Sequence, residues 1–224
     1  MVVDKPSGMS VHNAPEVDLC SRISHMLRNN EKWNQRVRLD PRFGVHAVHR
    51  LDKETSGVIL LACRRKIFNY LSRQFARGEA IKEYLALVHG SLPMTPGEGY
   101  WKWPLTPSAA GRRHPQGQGR RKPCQTQYRV LARSRHYSLL RCRLLTGRTH
   151  QIRRHAALAR HPLLGDRRYG SLRACRYLET HYRFKRLGLH AAGLNVKTPD
   201  RDEFERFTSN KLPDAMQKLL TSDQ

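Results

Sequence analysis

Gly57-Val58-Ile59-Leu60-Leu61-Ala62 is the stretch on which the fold turns, because five apolar residues behind a glycine read as a buried strand. Residues 64–77 follow with Ile67, Phe68, Leu71 and Phe75 at helical spacing and Gly78 as the stop. Residues 80–89 return to strand, with Ile81, Leu85 and Leu87 on one face and Lys82, Tyr84, Ala86 and Val88 on the other. Ahead of the central run, residues 2–12 read as a short strand entering a turn marked by Pro6 and Gly8. A short helix is expected over 18–30 through Leu19, Ile23, Met26 and Leu27, then a polar stretch and a loop over 46–57.

Behind it, residues 91–123 are rich in proline and glycine and hold the basic cluster Arg112, Arg113, His114, Arg120, Arg121 and Lys122. They read as a long connector. Strands are expected near 125–132 and 137–145, a loop at 147–150, and a basic helix over 151–160. A Pro/Gly loop at 161–170, a helix around 171–184, strands near 187–196 and 202–208, and a closing helix over 212–220 complete the chain. Strands paired by turns and interrupted by helices predict an α+β fold with a largely antiparallel sheet, as a single domain over 1–224.

The charge points to the partner. The 224 residues carry 42 Lys+Arg against 18 Asp+Glu, a formal net charge of +24. Such a field recruits polyanions and releases their counterions, so RNA or DNA is the expected partner. No apolar run approaches the roughly 20 residues of a membrane span, and the N-terminus lacks the pattern of a secretion signal. Cys20, Cys63, Cys124, Cys142 and Cys175 are odd in number and contain no CxxC, which argues for a reducing cytoplasm and against a disulfide or zinc framework. His46 with His49, and His150 with His155, lack the companions of a metal site.

Three segments hold candidate chemistry. In His49-Arg50-Leu51-Asp52-Lys53-Glu54-Thr55-Ser56-Gly57 an aspartate sits in a loop before the buried strand, between two cations. Such a loop aims a carboxylate into a cleft and keeps it ionised for nucleophilic work; it also fits an Asx turn. In Gly147-Arg148-Thr149-His150-Gln151-Ile152-Arg153 an arginine stands near a helix start, suited to a carboxylate or phosphate, or to capping the helix. In Lys82-Glu83-Tyr84-Leu85-Ala86, Tyr84 is either packed or presented to a ligand.

Taken together with Asp4-Lys5-Pro6-Ser7-Gly8, His161-Pro162-Leu163-Leu164-Gly165-Asp166-Arg167-Arg168-Tyr169-Gly170 and Leu189-His190-Ala191, the chain resembles the RluA-type pseudouridine synthases. The segments lie in family order across roughly residues 2–196. The resemblance implies a mixed, mainly antiparallel sheet flanked by helices with an RNA cleft, isomerisation of specific uridines in rRNA or tRNA, and neither metal nor organic cofactor. It implies that Asp52 is the catalytic aspartate, Tyr84 the tyrosine packed against the target base, and Arg148 the basic residue that pairs with the aspartate. Arg50 matches a residue that intrudes into RNA beside a flipped nucleotide. Further RNA contacts are expected from Lys5, Lys53, His150, Gln151 and Arg153, the last three otherwise serving the helix start. Three departures stand out. Only Met1 precedes Val2, where members commonly start earlier; no S4-type module precedes the catalytic region; and the basic insert at 105–123 has no place in the family pattern. A monomer is expected. The rival readings are a noncatalytic RNA-binding protein, disfavoured by Asp52, Tyr84 and Arg148 occurring together, and a metal-dependent nuclease, disfavoured by the lack of a carboxylate cluster.

Overall fold

The apolar run 58–62 lies within β3 (Ser56–Ala62), a strand buried at every residue, in a computed structural model that describes residues 1–200, 203–209 and 211–223. The chain, expected as one domain, groups into two compact units. The first comprises Met1–Ile81 and Gly193–Ser209. There β1 (Val2–Lys5) pairs antiparallel with β3, Val2 opposite Leu60 and Lys5 opposite Gly57, and the two-residue β2 (His46–Ala47) also pairs with β3. Helix α3 (Arg65–Arg77) turns Leu71 inward, with Ile67, Phe68 and Phe75 beside it, onto Val58, Leu60 and Ala62. Leu194 and Val196 of β8 (Leu189–Lys197) close that core. Each leucine so buried contributes about 2 kcal/mol. Gly78 ends α3 at φ 74°, its N–H reaching the carbonyls of Gln74 and Phe75. The strand expected near 202–208 is β9 (Phe204–Thr208), antiparallel to β8, and position 202 lies outside the described residues.

Helix α1 (Leu19–Arg28) starts where Asp18 accepts hydrogen bonds from the Ser21 amide at 2.8 Å and the Ala14 amide at 3.0 Å. Next comes a helix with no counterpart among the expected elements, α2 (Glu31–Val37), inside the polar stretch. It buries no residue, so no apolar periodicity announces it. Local bonds define it: Asn30 caps the Trp33 amide at 3.1 Å, Gln35 donates to Glu31 at 3.0 Å, and Arg38 adopts the left-handed conformation at its end.

The second unit holds Lys82–Ala192 and the C-terminal segment bearing α6 (Asp214–Ser222). Its strand order is β8-β4-β7-β6-β5, with β4 (Ile81–His89), β7 (Tyr137–Leu144), β6 (Thr126–Arg133) and β5 (Gly99–Trp101). The β4–β7, β7–β6 and β6–β5 ladders are antiparallel, and a bulge between Val130 and Ala132 bends β6. Helices α5 (Leu172–Tyr182) and α6 cover part of one sheet face, packing Leu178, Met216 and Leu219 on Leu87 and Leu139. The mixed, mainly antiparallel α+β architecture is the one expected. Two expectations change. The connector at 91–123 contains β5 and a pairing of Leu105 with Lys122. The basic helix is α4 (Gln151–Leu158), with Arg153, Arg154 and His155 buried. The described cysteines are unpaired, and no described helix is long and apolar enough to cross a membrane.

Loop 163–165 is knitted to β4 by Leu164 N–H to Leu87 O at 2.9 Å and to the residue before β8 by Gly188 N–H to Leu164 O at 2.8 Å. Gly165 there has φ +70°, and an added Cβ would stand 2.0 Å from the backbone oxygen of Arg186. Gly165→Ala is therefore expected to destabilise the protein by about 3 kcal/mol, read as a lowered urea midpoint. The Asp18 carboxyl supplies a pH-dependent prediction. Burial pushes its pKa up, but the Ser21 and Ala14 amides, the Ser21 hydroxyl and His12 together hold it below the ordinary carboxylate value. A lowered folded pKa stabilises above the unfolded value, about 3.9, and that contribution vanishes as pH falls through the folded one. Asp18→Ala should cost about 1 kcal/mol at neutral pH. Urea melts should show the gap to the parent protein shrinking below the ordinary carboxylate range; a constant gap would contradict the assignment.

Candidate active site

The loop bearing Asp52 is fixed by its backbone. Lys5, at the end of β1, is 0% exposed, and its ammonium donates to the carbonyls of Met9 at 2.7 Å, Pro6 at 2.9 Å and Lys53 at 3.1 Å. The same Lys53 carbonyl accepts the Gly8 amide at 2.9 Å, and the Ser7 hydroxyl donates to the Glu54 carbonyl at 2.6 Å. The segment Asp4-Lys5-Pro6-Ser7-Gly8 is thus a clasp across the residues next to Asp52. Gly8 has φ +86°, a conformation that glycine adopts without strain. On the other side, Leu51 is buried, and His49 accepts the Leu60 amide at 3.1 Å while stacking on Phe75 at 4.6 Å. The Thr55 amide closes a turn onto the Asp52 carbonyl at 3.1 Å. Asp52 itself is half-buried, and Arg50 and Lys53 are exposed. The expectation for Lys5 is corrected: with its charge enclosed and bound to carbonyls, it holds the loop and is not available to RNA.

In the second unit Tyr84 is buried, 7% exposed, on the β4 face shared with Ala86, and stands opposite Cys142 of β7. Lys82 shares that face, two residues away, and burial lowers its pKa from the ordinary lysine value. Lys82 was not among the expected site residues, although the strand parity that places Tyr84 on this face applies equally to it.

Arg148 sits in the turn between β7 and α4, and Gln151 builds that turn. The Gln151 side-chain oxygen accepts the Thr146 hydroxyl at 2.8 Å and the Arg148 amide at 3.0 Å, while its nitrogen donates to Gln125 O and Thr126 Oγ1, both at 3.0 Å. Every polar atom of this amide side chain is engaged, so Gln151 is a positioning residue and not the RNA contact expected of it. The Arg148 Nε, by contrast, is shielded from solvent and has no hydrogen-bond partner among the described residues. An unfilled, shielded guanidinium N–H is ready for an incoming anion.

His150 precedes α4 in the left-handed conformation, φ 55°, and its Nδ1 lies 2.9 Å from the Tyr169 hydroxyl. Arg153 binds Asp166 bidentately, Nε to Oδ2 at 2.8 Å and Nη2 to Oδ1 at 2.9 Å. Asp166 also accepts the amides of Arg168 and Tyr169. Buried and bidentate, Arg153 ties the 161–170 loop to α4, which replaces its expected RNA contact. Arg154 organises the insert. It is 0% exposed and donates to the carbonyls of Thr106, Ser108, Thr149, Pro115 and Gln116 and to the Thr106 hydroxyl. Around that hub the insert forms an open cavity of about 870 Å³ whose lining includes Arg112, Arg113, His114 and Arg168. Among the described residues no group of three or more His, Cys, Asp or Glu is able to hold a metal ion.

Comparison with known proteins fits this layout. The family described as RNA pseudouridylate synthase matches residues 1–158. The chain is 36% identical over 213 residues to ribosomal large subunit pseudouridine synthase C of Escherichia coli O6:H1, covering 92% of this chain and 62% of that protein. Identity is 38% over 192 residues to ribosomal large subunit pseudouridine synthase D of Haemophilus influenzae, covering 81% and 56%. It is 32% over 212 residues to tRNA pseudouridine synthase C of Pectobacterium carotovorum, covering 89% and 53%. The chain therefore spans a little over half the length of these relatives. Among solved structures, human RNA pseudouridylate synthase domain containing 4 superposes with a TM-score of 0.73 at 25% identity, over 98% of this chain and 88% of that one. Human RNA pseudouridylate synthase domain containing 1 shares the fold, with a TM-score of 0.75 at 23% identity over 97% and 82%. A family match running unbroken from the clasp at residues 4–8 to the end of α4 takes in every candidate segment but the last two, and the chain belongs to the RNA pseudouridylate synthase family.

Proposed function

We propose that this protein isomerises specific uridines in RNA to pseudouridine, with Asp52 as the catalytic carboxylate. The observation that carries this reading is the clasp: a half-buried aspartate on a loop whose neighbouring carbonyls are bound by Lys5, Ser7 and Gly8. A loop held that firmly gives a carboxylate a fixed position for attack. The reaction breaks the C1′–N1 bond, turns the uracil, joins C1′ to C5, and ends with loss of the C5 proton while N1 carries one. A stacked uridine is out of reach, so it is flipped out at a cost of a few kcal/mol, offset by phosphate contacts from a surface with a formal excess of +24. Asp52 starts glycosidic cleavage by attack on the sugar, by attack on the base, or by taking a sugar proton. Tyr84 packs against the base, and either it or a water removes the C5 proton. Arg148 offers its unfilled Nε–H to the negative charge of the reaction. Arg50 and Lys53, both exposed, meet the RNA. The names of the relatives support rRNA or tRNA as substrate, and the unpaired cysteines support a cytoplasmic setting.

Release of tritium from RNA labelled at uridine C5 reports the last step directly. Asp52→Asn should reduce it by at least about a thousandfold while RNA affinity stays within about twofold. Retained turnover would remove Asp52 from the chemistry. Arg148→Ala should lower kcat by about a hundredfold with a much smaller change in KM, and Arg148→Lys should recover only part, because the ammonium does not reproduce the Nε–H direction. An equal loss through KM alone would make Arg148 a binding residue.

A further inference from the structure

The sheet of the second unit has two unlike faces. Tyr84, Cys142 and Tyr128 lie in register on one, where Trp101 stacks on Tyr128 at 4.6 Å and α4 bonds to Thr126 through Gln151 and His155. The opposite face begins under α5 and α6 with Leu87, Tyr137 and Leu139. Farther along the same face its residues emerge into solvent: Arg141 and Arg143 of β7, Arg129 of β6, and Tyr100 and Lys102 at β5 are all exposed. The register makes them one patch. Arg129 is directly opposite Arg141, Arg143 opposite Gln127, and Gln127 opposite Tyr100. The Gln127 amide donates to the Tyr100 hydroxyl at 3.3 Å, and the Lys102 ammonium stands 5.4 Å from the Tyr100 ring centre.

Folding alone does not account for this arrangement. Like charges directly opposite on adjacent strands destabilise a sheet, yet Arg129 faces Arg141; of the three arginines only Arg143 has an acid across from it, half-buried Glu83 of β4. None of the three arginines makes an ion pair or side-chain hydrogen bond among the described residues. Catalysis does not account for it either, because Tyr84 points to the other face. Cations about 5 Å apart across strands and about 7 Å apart along one, beside an exposed ring, suit a strand with a charge at every residue and a flat base on each. We propose that this face is a second RNA-binding surface, on which Arg129, Arg141 and Arg143 take successive phosphates of one extended strand while a base stacks on Tyr100. The inference rests on the reading that the protein acts on RNA, and adds a place where RNA beyond the modified uridine is held.

The test uses the whole chain and a fluorescein-labelled oligouridylate of about 16 nucleotides. Replacing all three arginines by serine should weaken binding about tenfold. It should also flatten the dependence of log Kd on log salt by about 2, at about 0.7 per phosphate contact on a single strand. The triple lysine variant should keep the slope. Ultraviolet crosslinking should join the oligonucleotide to the peptide containing Tyr100, and Tyr100→Ala should abolish that product. Because the serine variant loses a repulsive pair, it should melt no lower than its parent; should it melt lower, the lysine variant and the Tyr100 crosslink decide. Unchanged affinity and slope without a Tyr100 crosslink would overturn the surface while leaving pseudouridine formation by the parent protein intact. A parent that neither binds RNA nor releases tritium would overturn the underlying reading and the surface with it. A concentration-dependent dimer lost only in the serine variant, at unchanged RNA affinity, would overturn it in favour of a second copy of the chain.

Discussion

A lysine ammonium with no access to water has to find oxygen, and in this protein that need fixes the loop bearing Asp52. The desolvation penalty of such an ion is several kcal/mol. Three carbonyl acceptors at about 1.5–3 kcal/mol each offset it, provided all three stay in place. Two of the carbonyls belong to the turn after β1 and the third to Lys53, the residue following Asp52. The turn and the loop are therefore bound to each other through one cation. Moving Asp52 by even an ångström would strip the ammonium of a partner, so the carboxylate inherits the rigidity of a buried ion.

The same device recurs in the second unit with guanidinium groups. Arg154 draws five carbonyls and a hydroxyl from residues 106–116 and 149. No carboxylate is among these partners, so its positive charge stays uncancelled beneath a rim that already carries Arg112, Arg113 and Arg168. Arg153 is treated differently. Asp166 neutralises it, and its Oδ1, already bonded to Arg153, also accepts the amides of Arg168 and Tyr169 and so orders the same loop. One buried arginine adds to the local field and its neighbour does not, although both stand on the same short helix.

Much of the framework was legible because it depends on local pattern. The run 58–62, the apolar spacing of 67–75 and the stop at Gly78 each have a physical cause confined to a few residues, and β3 and α3 follow from them. Helix α2 was not legible, because caps and one side-chain pair hold it and no buried stripe exists to reveal it. The site was legible in part. Alternation placed Tyr84 on the face away from Leu85 and Leu87, and the same rule placed Lys82 beside it. What sequence could not reveal is which polar and charged side chains are buried. Lys5, Gln151 and Arg153 look like RNA contacts in a strongly basic chain, and only long-range partners, such as Lys53 for Lys5 and Gln125 for Gln151, show that they build loops.

That distinction changes how the net charge is to be read. A formal excess of +24 overstates the number of cations able to meet a phosphate, since Lys5, Arg153 and Arg154 are enclosed. The informative cations are those left exposed where folding would favour an acid. Arg129 opposite Arg141 is such a case, because exchanging either for glutamate would turn a repulsive cross-strand pair into an attractive one. Retaining arginine at both positions opposes the stability of the sheet and favours binding of a polyanion. In a chain this basic, the unfavourable pair therefore says more about the partner than the total charge does.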